Sequence, residues 1–133
     1  MVVVDTSILA YLLIEGDRSA DAQALWRRDA DWRSEGFILV EFSNILATYL
    51  RAKALSIDEA MTMLGEASRR LAQTTDVPHA DALSSAAAHG VSAYDARFLA
   101  AAAYWGVPLT TEDVRLRAAA PALTQSLADA VAG

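Results

Sequence analysis

The sequence predicts an α/β fold built on a short, mainly parallel sheet. Short β-branched or apolar runs alternate with helix-length stretches along the chain, the order that folds as strands covered by helices. The helical stretches are punctuated by Ser and Thr at their starts and by Gly or Pro at their ends. The chain has 133 residues, of which 54% are hydrophobic and 21% charged. That is the composition of a globular protein, and its length fits a single domain over residues 1–133 with a substantial core.

Val2-Val3-Val4, ending at Asp5, reads as a buried strand. Thr6 and Ser7 are the expected caps of a helix running through Leu13. After the break at Glu15-Gly16-Asp17, Ser19 opens a second helix toward Trp32. Gly36 precedes Phe37-Ile38-Leu39-Val40, the second strand candidate. Phe42, Ile45, Leu46, Tyr49 and Leu50 follow at helical spacing and form one apolar stripe. Ser56 with Glu59 is a capping-box pattern for a helix reaching about Leu71.

Thr74 to Val77 is a third strand candidate, stopped by Pro78. A helix from about Ala80 to His89 ends at Gly90, and another starts at Ser92 and stops at Gly106 and Pro108. Leu109-Thr110 reads as a strand, followed by a short helix from about Asp113 to Ala120. Beyond Pro121, Leu123 to Ala132 reads as a small strand and a short helix.

Composition narrows the chemistry. Cysteine is absent and there are two histidines, His79 and His89, which excludes thiolate sites and disfavours a histidine-rich zinc site. A metal would have to be a hard cation held by oxygen, Mg²⁺ or Mn²⁺. The net charge of −6 argues against a general nucleic-acid binder. It leaves room for a nuclease, since acids that hold cations contribute negative charge themselves. The uncharged stretch Phe98 to Leu109 is too short to span a bilayer. With an acid at position 5 and no signal-peptide pattern, the expected location is the cytoplasm, without membrane association.

In an open α/β sheet, ligands bind beyond the carboxyl ends of the strands. Asp5 follows the first strand, Glu41 follows Phe37–Val40, and Asp113 lies three residues after Thr110. Asp95 lies in the first turn of the helix leading to the last of these strands. Acids in a first helical turn are also favoured by the helix dipole, by ~0.3–1 kcal/mol, so capping alone explains any one of them. Asp95 fits that explanation least. Between Ala82 and Thr111 it and Arg97 are the only formally charged residues, on a helix expected to be largely buried, where a carboxylate is costly unless paired or bound to a cation.

Clustered carboxylates repel one another, and a divalent cation removes that penalty while activating water and neutralising phosphoryl charge. This is the logic of metal-dependent phosphodiester hydrolysis. No GxGxxG, P-loop or GxSxG pattern offers a competing chemistry.

Three stretches in order, VVVDTSILAYLL, VEFSNILATYLRA from Val40 and SAYDARFLAAAAYWGVPLTTEDVRL from Ser92, resemble the PIN-domain ribonucleases, and among them the short VapC-like toxins of toxin–antitoxin pairs. The resemblance implies a three-layer α/β/α domain and a Mg²⁺- or Mn²⁺-dependent endoribonuclease. It carries catalytic and metal-holding roles onto Asp5, Glu41, Asp95 and Asp113, the last within a T-x-D element that includes Glu112. Thr6, Asn44 and Thr111 are the expected supporting groups, orienting carboxylates or phosphate, and Arg97 and Arg115 are candidate RNA contacts. The implied partners are RNA, a cognate antitoxin protein and a second copy of the chain. The alternatives are a non-catalytic PIN-like binding module and a structure-specific DNA nuclease.

Overall fold

Three consecutive valines suit a strand covered on both faces, and Val2–Val4 (β1) is buried at every residue. In a computed structural model describing residues 1–133, β1 is followed by α1 (Thr6–Leu13), α2 (Ser19–Arg28), β2 (Trp32–Glu35), α3 (Phe37–Arg51), α4 (Ile57–Arg70) and β3 (Leu71–Thr75). The second half comprises α5 (His79–His89), α6 (Ala93–Trp105), β4 (Leu109–Thr110), α7 (Val114–Ala119), a 3₁₀ turn at Pro121–Leu123, β5 (Thr124–Gln125) and α8 (Leu127–Ala132).

The five strands lie in the order β3-β2-β1-β4-β5 and every pairing is parallel. The chain fills one side of β1 with β2 and β3, then crosses to the other side for β4 and β5. The crevice at the carboxyl end of β1 and β4 is therefore a topological switch point. One helical group, α5 with α6, packs on β1, β2 and β4 through α6; the other joins α1 to α2, α3 and α4, and α2 to α8. The expected α/β architecture and parallel sheet are present.

The second strand lies elsewhere than its hydrophobicity suggests. Phe37-Ile38-Leu39-Val40 is the first turn of α3, with Ile38, Phe42 and Leu46 buried at four-residue intervals and Val40 59% exposed. The strand is the polar-looking Trp32-Arg33-Ser34-Glu35, which the expected second helix had partly absorbed. Its polar groups are satisfied internally. Trp32 donates its indole N–H to the Asp29 carbonyl at 2.9 Å, and Ser34 donates its hydroxyl to the Val4 carbonyl at 2.6 Å. Glu35 accepts from the Phe37 amide at 2.7 Å and so serves the start of α3. Gly36 joins strand to helix beside the Asp76 carboxylate, which a Cβ there would push aside. The third strand also starts earlier than expected, at Leu71, since β3 is an edge strand and needs little apolar character.

The caps agree more closely with the sequence. Asp5, rather than Thr6 or Ser7, is the N-cap of α1, its carboxylate accepting from the Ile8 amide at 3.2 Å. Gly90 and Gly106 end α5 and α6 in the left-handed region, at φ of 67° and 70°. Ser56 and Glu59 form a reciprocal capping box on α4, with bonds of 3.1 and 3.0 Å. Ser56→Ala is expected to lower stability by about 1 kcal/mol, read as a reduced urea midpoint with an unchanged slope. No helix is long and apolar enough to cross a membrane.

Candidate active site

The switch-point crevice is lined by Asp5, Glu41, Asp95 and Asp113, around a cavity of about 580 Å³. Each acid arrives on a different element. Asp5 ends β1 and caps α1. Asp113 follows β4 and caps α7, its Oδ1 accepting from the Arg115 and Leu116 amides at 3.0 Å each. Asp95 sits in the first turn of α6, where its amide donates to the Ser92 hydroxyl at 3.1 Å. Glu41 lies five residues into α3. The strand-end argument therefore does not apply to Glu41, although the residue does face the crevice.

Two threonines tie the elements together. Thr111, fully buried, donates its hydroxyl to Asp5 Oδ2 at 2.5 Å and accepts from the Asp113 amide at 3.1 Å. One side chain thus sets both acids across the β1–β4 seam. Thr6, also buried, donates to Glu41 Oε1 at 2.6 Å and joins α1 to α3. Asn44, one turn beyond Glu41, lines the crevice as well. Both threonines and Asn44 thus lie beside acids of the crevice.

The electrostatics of the crevice are one-signed. Burial is the largest influence on Asp5 and raises its pKa from 3.8 to about 6; the Thr111 hydroxyl and Ile8 amide oppose the rise, while Asp95 and Asp113 add to it. Asp95 is also raised, by burial first and by Asp113 second, against the Ser92 hydrogen bond. Asp5, Asp95 and Asp113 are therefore close enough to feel one another's charge. None of the four acids takes part in a salt bridge, and no Lys, Arg or His lines the crevice.

Neighbouring acids behave differently. Glu112 points away, paired with Arg18 and Arg117 and accepting from the Leu127 amide at 3.2 Å. That separates it from Asp113 within the T-x-D element. Glu35, 3% exposed, is paired with Arg97 at 3.1 Å.

That pairing corrects the candidate role of Arg97. Its Nη1 donates to Glu35 Oε2 and, at 2.9 Å, to the Val77 carbonyl, while Nη2 meets His79 Nδ1. Two residues beyond Asp95 on α6, it points away from the crevice and locks α6 to β2 and the segment after β3. Arg115 is exposed beside the cap of α7. The burial expected of α6 is also partial, since Tyr94 and Tyr104 are 62% and 69% exposed. Sequence reasoning passed over Phe37 and Tyr94, which both line the crevice. Their only signal was position, directly after Gly36 and directly before Asp95.

The donors offered are all carboxylate, hydroxyl and amide oxygens, the set preferred by hard divalent cations. No three Asp, Glu or His side chains converge into a ready-made cage. Such a site fits an ion held by one or two carboxylates with water completing its shell, as Mg²⁺ is commonly held.

A parallel α/β domain with an all-carboxylate crevice at its switch point is the class that fold and site define together. The PIN domain family model matches residues 2–121, and the chain belongs to that family. It is 32% identical over 125 residues to Ribonuclease VapC3 of Pyrobaculum aerophilum, covering 91% of this chain and 95% of that protein. The crystal structure of PAE2754 from the same organism has the same fold, with a TM-score of 0.74 at 20% identity, covering 98% of this chain and 91% of that one.

Proposed function

We propose that this chain is a single-domain, Mg²⁺- or Mn²⁺-dependent endoribonuclease and the toxin of a toxin–antitoxin pair acting in the cytoplasm. The observation that carries the proposal is the crevice of four acids that no cationic side chain neutralises. Uncompensated carboxylates, one of them raised to about pKa 6, destabilise a fold unless they serve a ligand that brings positive charge. The relative from Pyrobaculum aerophilum is a ribonuclease by name, which supports RNA as the substrate.

On this reading Asp5, Glu41, Asp95 and Asp113 hold the cation, directly or through water. When bound, the cation would lower the pKa of a water and neutralise charge on the scissile phosphate. The protein's own contribution is positioning. Thr111 fixes Asp5 and the start of the Asp113 turn, and Thr6 fixes Glu41, leaving Oε2 of Glu41 and Oδ2 of Asp113 without protein donors. The Asn44 amide supplies hydrogen-bond donors for a phosphate oxygen. Arg115, exposed beside Asp113, supplies a cation at the rim for the RNA backbone. The partners are RNA, a cognate antitoxin and a second copy of the chain.

Asp95→Asn is expected to reduce Mg²⁺-dependent RNA cleavage at least 10²-fold, on the scale of losing a metal-site group, with an unchanged circular dichroism spectrum. Expression of the wild type in a bacterial host is expected to arrest growth, and Asp95→Asn to relieve the arrest. Arrest by both proteins would refute the link between the acids and toxicity.

A further inference from the structure

The acidic crevice poses a problem for any polyanionic substrate. A cation can neutralise the scissile phosphate, but the phosphates on either side meet a wall that contains no Lys, Arg or His. Arg97 is committed to Glu35, and Arg18 to Glu112. With Arg115 only at the rim, part of the binding energy for RNA inside the crevice must come from contacts to its bases. The crevice offers one apolar feature suited to that task. The rings of Phe37 and Tyr94 are stacked, with centroids 5.4 Å apart and planes inclined by 17°.

The pair is placed unlike a core contact. Tyr94 is 62% exposed with Phe37 packed beside it in an offset stack, which leaves much of its ring open to solvent. The two rings come from separate elements, the first turns of α3 and α6. Each lies near an acid of the crevice in sequence, Tyr94 directly before Asp95 and Phe37 one helical turn before Glu41. A planar, solvent-open aromatic face held rigid by a second ring is what an unpaired base stacks on, and such stacking tolerates any base.

We infer that Tyr94, backed by Phe37, is a stacking platform for an unpaired nucleobase of the RNA beside the bond that is cleaved. The inference rests on the nuclease reading for its substrate. It adds that a base beside the cleaved bond must be unstacked, because within a duplex both faces of a base are covered by neighbouring pairs. Tyr94 is a positioning and binding residue here; the chemistry remains with the carboxylates.

Two readouts test it. The first is cleavage kinetics of a short single-stranded RNA with Mn²⁺. Tyr94→Ala is expected to raise KM about 5- to 150-fold, the scale of one lost base stack, with kcat changed only a few-fold. Tyr94→Phe keeps the ring and is expected to match the wild type. The second readout does not need cleavage. The same RNA carries 2-aminopurine at each position in turn and is bound to the Asp95→Asn protein. Fluorescence is expected to be quenched at one position, and the quench to disappear when Tyr94→Ala is added.

The platform is overturned if Tyr94→Ala leaves both KM and quenching unchanged, even if that variant loses a protein partner instead. It is equally overturned if Tyr94→Phe loses as much as Tyr94→Ala, since the hydroxyl rather than the ring would then matter. A wild type that cleaves no RNA yet shows a Tyr94-dependent quench keeps the platform and removes the nuclease reading. No quench at any position with wild-type side chains at 37 and 94 removes the platform, whatever the cleavage result.

Discussion

Asp5→Asn is expected to destroy RNA cleavage while making the metal-free protein more stable. Burial holds the Asp5 pKa at about 6, against 3.8 ordinarily. A carboxyl whose pKa is raised by folding binds its proton more tightly in the native state. Its stabilising contribution is complete below the unfolded pKa and is lost as pH rises through about 6. Above pH 6 the native protein carries a charge that the fold disfavours, and Asn removes it. Asn can keep the α1 cap through its carbonyl oxygen, while its amide N–H donates to the Thr111 hydroxyl in place of the bond Asp5 accepts.

The displacement corresponds to about 3 kcal/mol, and the partial exposure of Asp5 reduces the gain to about 1–2 kcal/mol. For a chain of this size that raises Tm by roughly 3–8 °C at pH 7 in EDTA. The difference between variant and wild type should shrink as pH falls from 6 and vanish only below the ordinary carboxyl pKa of 3.8, where Asp5 is protonated in both states. Cleavage with Mg²⁺ should fall at least 10²-fold. A melting temperature that drops on substitution would mean that Asp5 is structural.

Arg97→Ala is expected to have the opposite profile, a large loss of stability with little effect on the affinity for RNA. Removing the guanidinium strands Glu35, 3% exposed, without its cation and frees the Val77 carbonyl. Breaking one partner of a buried pair typically destabilises by about 3–5 kcal/mol. Adding Glu35→Gln removes the stranded charge and should recover part of that loss. Urea unfolding of the two variants measures both effects. At a temperature where Arg97→Ala remains folded, its KM for RNA should stay within a few-fold of wild type. A KM that rises in proportion to the lost charge, with stability intact, would restore Arg97 as an RNA contact.

The legibility of this chain followed the physics of each segment. Val2–Val4, the caps at Ser56 and Ser92 and the stops at Gly90 and Gly106 depend on local interactions, and local sequence expresses them. Trp32–Glu35 does not look like a strand, because its partners lie far away: the Val4 carbonyl for Ser34, and the Val77 amide and Arg97 for Glu35. Phe37–Val40 looked like a strand because a helix's first turn, when apolar, carries no period of its own. Asp5 and Asp113 were visible as strand-end acids. Asp95 was visible as an isolated charge, and its pairing with neither Arg97 nor any other cation holds. Glu41 was singled out as a strand-end acid, a premise that the fold replaces, since it lies within α3 and faces the crevice from there. What no local pattern could show was the Phe37–Tyr94 stack, which exists only when α3 and α6 meet.

The most direct test of the central claim is hydrolysis of a labelled RNA pool by the purified protein, titrated with Mn²⁺ or Mg²⁺ and quenched with EDTA, beside Asp5→Asn, Glu41→Gln, Asp95→Asn and Asp113→Asn. Cleavage by the wild type is expected to appear with the divalent cation, to stop with EDTA and to be lost in each of the four variants. A wild type inert at every metal concentration, or cleavage indifferent to EDTA and to all four substitutions, would contradict that claim.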